Sequence, residues 1–256
     1  MHLSFDRHLR AGRQFRYDEI MCRMAAYIGP ELLLEQFLFA PSHNLVEQSW
    51  RPREMTVGHL NADGYGFAWY RRQEPNRFVS PFPIWGDSNL PALGRSLQSC
   101  VWLGAVRGAT PGFAAHPANT QPFVAESLSF LHNGHIPDFA TGARARIRAL
   151  LTPAIEAGIE GTTDSEYLFA LLRQSPASLS LENRVRALND TLRPALGTDA
   201  ALLNLLVSDG KHVVALRHAC ATATPPSLYY TEDDPQFPGG TVISSEPLTN
   251  APAWHP

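Results

Sequence analysis

The dipeptide Asp209-Gly210, between the apolar runs 201–208 and 212–217, constrains this chain more than any other feature. Asp-Gly favours a tight hairpin, because glycine adopts the positive φ that such turns need. The two runs are therefore expected as neighbouring antiparallel strands. Shorter apolar runs at 23–28, 65–70, 103–107, 128–132, 227–231 and 241–245, each closed by turn residues, read as core strands. Helical patterns cover 144–151, 165–173 and 181–192, and the stretch ELLLEQFLF at 31–39 follows a Gly29-Pro30 stop. The polar stretch 42–58 reads as a loop. Strands, then helices, then a strand-rich end predict an α+β fold rather than alternating βαβ units. No internal repeat divides 21–256, which reads as one domain. The chain stops at Trp254-His255-Pro256 without a finished element, so one or more further strands are expected beyond it.

Composition excludes several functions. Hydrophobic residues at 44 % and charged residues at 18 % describe an ordinary globular chain. A formal net charge of −3 gives no electrostatic reason to expect nucleic acid or an anionic membrane as partner. No apolar run approaches the ~18 residues of a membrane helix. Cys22, Cys100 and Cys220 form no C-x-x-C pair, which argues against a disulfide framework or structural zinc and for the cytoplasm. Cys100 and Cys220 are expected as small buried side chains. His132 and His135 lack carboxylate or cysteine neighbours in a ligand pattern. Neither a metal nor another cofactor is therefore expected.

The chemistry starts at Met21-Cys22-Arg23. A cysteine at a chain terminus carries its own base, since the α-amine (about 7.7–8.0) and the thiol (about 8.5) both titrate near working pH. Residues 1–20 show arginines at 7, 10, 13 and 16 but no apolar signal region. They read as an N-terminal extension, either upstream of the true initiator Met21 or a propeptide. If retained, they turn the amine into an amide and remove a general base worth about 10²–10⁴-fold.

Three more signals fit the same task. Arg107 ends a strand in a position suited to holding a carboxylate through two parallel hydrogen bonds, with Thr110 close behind. Asn133-Gly134 can present a side-chain amide and a backbone N–H to one oxygen. Asp164 and Ser165 open an apolar helical run, where an acid is favoured and can meet an ammonium. Bland readings compete: Asn-Gly as a mere turn, Thr163 to Glu166 as a capping box, Cys22 as a buried small residue.

In order and chemistry these residues resemble the class II glutamine amidotransferases, whose nucleophile is an N-terminal cysteine. The resemblance implies a four-layer αββα sandwich of the N-terminal nucleophile type. It implies Cys22 as nucleophile, Asn133 and Gly134 as oxyanion hole, and Arg107, Thr110, Asp164 and Ser165 as binders of a γ-glutamyl head. Within the family the chain is similar to the branch that cleaves γ-glutamyl-hercynylcysteine sulfoxide in ergothioneine biosynthesis. That likeness rests on Gln48-Ser49-Trp50-Arg51-Pro52-Arg53, Asn61-Ala62-Asp63-Gly64-Tyr65-Gly66, Pro83-Ile84-Trp85-Gly86-Asp87, Ala105–Thr110 and Ser245-Glu246-Pro247-Leu248. Gly108 and Pro111 depart from ammonia-channelling members and imply a reshaped acceptor side that argues against ammonia transfer; Gly108 also differs from the serine usual in that branch. Gln48, Trp50, Arg53 and Trp85 are candidate contacts for the imidazole-bearing part of the substrate, with loop packing and surface charge as an equally open reading. The alternatives are a glutaminase subunit, a general γ-glutamyl peptide hydrolase, and a glutamyl-binding module with a blocked terminus. A papain-like hydrolase would need His43, His59, His116 or His132 as its base. The oligomeric state is not legible.

Overall fold

A computed structural model describes residues 22–55, 60–109, 114–221 and 223–256. The extension expected at 1–20 lies outside them, as do Thr110 and His59. Ten strands are described: β1 (Arg23–Leu33), β2 (Tyr65–Arg71), β3 (Glu74–Ser80), β4 (Gln98–Val106), β5 (Phe123–Ala125), β6 (Leu128–His135), β7 (Leu202–Ser208), β8 (Val213–Ala219), β9 (Tyr229–Glu232) and β10 (Thr241–Ser244). The α-helices are α1 (Leu34–Leu38), α2 (Leu45–Trp50), α3 (Leu90–Ser96), α4 (Arg144–Arg148), α5 (Pro153–Glu156), α6 (Asp164–Arg173) and α7 (Leu181–Leu196).

The strands form two antiparallel sheets, ordered β3-β2-β4-β1-β10-β9 and β5-β6-β7-β8. Alternation along β1 and β4 decides which face meets what. Tyr27, Trp102 and Val106 point outward beneath Phe37, Leu38, Leu45 and Leu90 of α1–α3. Met24, Ala26, Leu103 and Ala105 point inward against Leu131 and Leu206 of the second sheet. The far face of that sheet, with Phe130, Leu203 and Leu205, is covered by Ile147, Leu168, Phe169, Val185 and Leu188. The result is helices, sheet, sheet, helices: the expected four-layer α+β sandwich. Burying each of these large apolar side chains contributes about 1.5–3 kcal/mol.

The Asp209-Gly210 hairpin forms as read, with Ser208 opposite Val213. Asp209 Oδ1 accepts from the N–H groups of Lys211 and His212, and Gly210 has φ 84°. Other boundaries moved. Gly29-Pro30 does not stop β1, which continues through an irregularity between Ile28 and Leu32. There Tyr27 Oη donates to the Pro30 carbonyl at 2.7 Å and holds the bend. The helix expected at 31–39 shrinks accordingly to α1. The segment 42–58 is not all loop: Asn44 Oδ1 accepts from Glu47 N–H at 2.9 Å and starts α2. An N-cap asparagine three residues before a glutamate was the missed signal. Cys100 is exposed and Cys220 only partly buried, against expectation. Cys100 shares the outward face of β4 with Trp102 but lies beyond the cover of the helices.

Candidate active site

The register of the first sheet builds half of the site. Arg23 pairs with Val106, so Cys22, one residue before β1, falls beside Arg107, one residue after β4. The turn before β2 braces this end. Arg107 N–H donates to the Gly64 carbonyl (2.8 Å), Asp63 N–H to the Arg107 carbonyl (2.9 Å), and Ala109 N–H to Asp63 Oδ2 (2.8 Å). The Arg107 side chain is buried, with Nη1 donating to the carbonyls of Asp63 and Ala114. The Asn61–Gly64 motif is thus a clamp on the arginine loop.

The second sheet supplies the other half. α6 begins beside the end of β6, and Asp164 joins them: its Oδ2 accepts from Ile136 N–H (3.0 Å) and its Oδ1 from Ser165 N–H (2.8 Å). Thr163 caps the helix, accepting from Glu166 N–H at 3.3 Å. The capping reading of this motif is therefore half right. Glu166 does not reach back to the cap but accepts from the N–H groups of Glu160 and Gly161. Capping by Thr163 leaves Asp164 available.

Cys22, Arg107, Gly134, Asp164 and Ser165 line one small cleft that opens to solvent, with a volume of about 40 Å³. Five of the seven residues expected from sequence therefore meet. Thr110 lies outside the described residues. Asn133 is fully buried beside the cleft rather than on its wall, with Nδ2 donating to Ser245 Oγ at 3.1 Å and Oδ1 without a partner. The same cleft includes Asn119, Gln121 and His132, which sequence reasoning did not place there. Gln121 holds the His132 backbone from both sides, and Asn119 Oδ1 accepts from Thr162 N–H. No local pattern announces such long-range clamps.

Gly134 is required sterically. A Cβ there would lie 1.9 Å from the Leu202 carbonyl oxygen and 2.5 Å from His132 Nε2. Gly134→Ala is expected to destabilise the fold by about 1–3 kcal/mol, the usual cost of overpacking. A urea midpoint equal to that of the parent would show that the strand yields more easily than this geometry allows.

Electrostatics set the resting state of the thiol. Burial pushes the Cys22 thiol up, and the nearby Arg107 guanidinium only partly offsets this. A neutral thiol needs a base. Three of the histidines considered for that role have ring nitrogens engaged by other partners: His43 Nε2 meets Glu246 Oε2, His116 Nδ1 accepts from Ala118 N–H, and cleft-lining His132 meets Ser165 and Leu202. Sγ itself contacts the Gly108 carbonyl at 3.9 Å.

Behind Cys22 lies a buried carboxylate. Glu246 takes Arg23 Nε and His43 Nε2, each at 2.7 Å, and the N–H groups of Arg53 (2.8 Å) and Glu54 (3.0 Å). Burial alone would raise its pKa, but these donors outweigh it and hold the carboxyl at about 2. Arg23 Nη1 in turn donates to the Cys22 carbonyl at 3.0 Å. Of the two readings of Gln48, packing holds: it is buried and donates to the His43 carbonyl, and Arg53 contributes its backbone to Glu246. Trp50 and Trp85 are exposed.

Against known proteins, the family profile of class-II glutamine amidotransferases matches residues 38–256. The chain belongs to that family. A curated relative, gamma-glutamyl-hercynylcysteine sulfoxide hydrolase of Mycobacterium tuberculosis, is 29% identical over 235 residues, 91% of this chain and 88% of that protein. A solved glutamine aminotransferase class-II domain protein from Silicibacter pomeroyi superposes with a TM-score of 0.62 at 27% identity, covering 88% of each chain. The glutamine phosphoribosylpyrophosphate amidotransferase of B. subtilis shares the fold, with a TM-score of 0.55 at 16% identity over 88% of this chain and 42% of that one. As a class-II glutamine amidotransferase the chain is an amide-cleaving enzyme of the N-terminal nucleophile fold. No helix among its described residues is long and apolar enough to cross a membrane.

Proposed function

We propose that this chain hydrolyses a γ-glutamyl amide through a thioester on Cys22, and that its substrate is γ-glutamyl-hercynylcysteine sulfoxide. The observation that carries the reading is the strand register that sets Cys22 beside Arg107, on a cleft shared with Asp164. A guanidinium and a carboxylate facing one pocket suit the α-carboxylate and α-ammonium of a glutamyl head. The relative from Mycobacterium tuberculosis supports the sulfoxide as substrate.

In this reading residues 1–21 are absent from the active form, and the Cys22 amine accepts the thiol proton through a water. Sulfur attacks the γ-carbonyl, and the oxyanion is met by Gly134 N–H and the Asn133 amide. Turning that amide by 180° lets Ser245 Oγ–H donate to Oδ1 and frees Nδ2 for the oxyanion. One such donor is worth about 2.7–4 kcal/mol. The amine protonates the leaving nitrogen, the C–N bond breaks, and water then cleaves the thioester to release glutamate. Arg107, Asp164 and Ser165 position the head, with Thr110 assigned beside them from the sequence alone.

The test is a substrate panel on a chain that begins at Cys22. The sulfoxide should exceed glutamine and glutathione-like peptides in kcat/KM by roughly 100-fold, a preference within reach of a few acceptor-side contacts. A preference for glutamine would make this a glutaminase subunit and end the sulfoxide assignment.

A further inference from the structure

We propose that His132 is a positioning residue that turns Ser165 into a pure hydrogen-bond acceptor for the substrate's α-ammonium group. The proposal rests on the γ-glutamyl reading above and deepens it, since it says how one end of the cleft selects for an amine.

The argument follows the protons. His132 lies on β6 with its ring buried beneath the start of α6. Its Nε2 is 3.0 Å from the Leu202 carbonyl, which can only accept, so Nε2 carries the hydrogen. Burial lowers the imidazole pKa despite the nearby Asp164, which keeps the ring neutral. Nδ1 is then a bare lone pair and needs a donor. Ser165 Oγ is 2.9 Å away and has one hydrogen to give. The competing acceptor, Asp164 Oδ1, is more distant at 3.3 Å.

With its hydrogen committed to His132, Ser165 presents only lone pairs to the cleft. Asp164 beside it already receives the N–H groups of Ile136 and Ser165, and a carboxylate has further lone pairs to offer. The pair is therefore a cradle without a donor, suited to an ammonium and unsuited to a second carboxylate or carbonyl. The Gly134 geometry fits the same account. The Leu202 carbonyl that fixes the histidine tautomer occupies the space where a Cβ at 134 would sit.

Calorimetric binding of L-glutamate and glutarate to the full chain tests this without any need for turnover. The parent should bind glutamate more tightly than glutarate, which lacks only the amine. Ser165→Ala and His132→Leu should each weaken glutamate binding about 10-fold, the effect of one hydrogen bond to a charged group, and leave glutarate unchanged. Ser165→Thr, which keeps the hydroxyl, should restore the preference. Folded variants that keep the full glutamate-to-glutarate ratio would overturn the proposal. If His132→Leu does not fold, the ¹⁵N shifts of His132 in the parent decide: a neutral ring protonated at Nε2 supports it, and protonation at Nδ1 defeats it. A parent that binds neither ligand defeats the γ-glutamyl reading as well, which separates the two failures.

Discussion

A chain that begins at Cys22 should release glutamate from γ-glutamyl substrates, and Cys22→Ala in that chain should lower kcat by roughly 10⁶-fold, the loss seen when a hydrolase loses its nucleophile. The cause is local. Burial holds the thiol neutral, and His43, His116 and His132 are all turned to other partners. In the proposed mechanism the α-amine of the same residue is the base. The same chain with its extension retained should be slower by about 10²–10⁴-fold, because an amide nitrogen accepts no proton. Single-turnover glutamate release, with terminal sequencing of each preparation, measures both effects. Equal rates for the blocked and free termini would show that some other group deprotonates the sulfur.

The second large effect concerns stability. Glu246→Ala should destabilise the fold by about 3–5 kcal/mol, since it leaves the buried Arg23 without its carboxylate. It also strands His43 Nε2 and two backbone N–H groups. The pH dependence has a definite sign. The Glu246 carboxyl is held at about 2 in the folded chain, below an unfolded value near 4.3. Its contribution, about 3 kcal/mol by linkage, is therefore complete above pH ~4.3 and is lost as pH falls toward 2. Urea titrations at pH 7 and pH 3 should show a smaller pH difference for Glu246→Gln than for the parent. Matching profiles in the two proteins would remove Glu246 as the source. Because Arg23 also holds the Cys22 carbonyl, Glu246→Gln should lower kcat even where it folds.

The sequence reading succeeded where chemistry or periodicity is local. The Asp209-Gly210 hairpin, α6 and α7 follow from turn and helix patterns within a few residues. Arg107 and Asp164 were legible because each ends or begins an element, where a charged side chain has something to hold. What escaped was set at long range. β3 and β5 carry weak apolar alternation and exist because β2 and β6 offer edges to pair with. Gly29-Pro30 looks like a stop, but Tyr27 holds it as a bend inside a continuing strand. For Gln48 the sequence left substrate contact and loop packing both open, because nothing near it shows that it lies beneath His43. The Ser245-Glu246 pair was visible only as a likeness. Its meaning came from four donors that lie far from it in the chain.

The layer between the two sheets has a consequence for turnover. Cys22 and Arg107 ride on one sheet, while Gly134 and Asp164 ride on or against the other. In the proposed reaction, the gap between Cys22 and the second sheet is gauged by Met24, Ala26, Leu103 and Ala105 resting on Leu131 and Leu206. Those six side chains lie between the sheets and touch one another, and in the proposed reaction they set the spacing of the two halves of the cleft. On that proposal, alanine at 26 and 105 is a choice of spacing between the two halves of the site, made in the middle of the molecule.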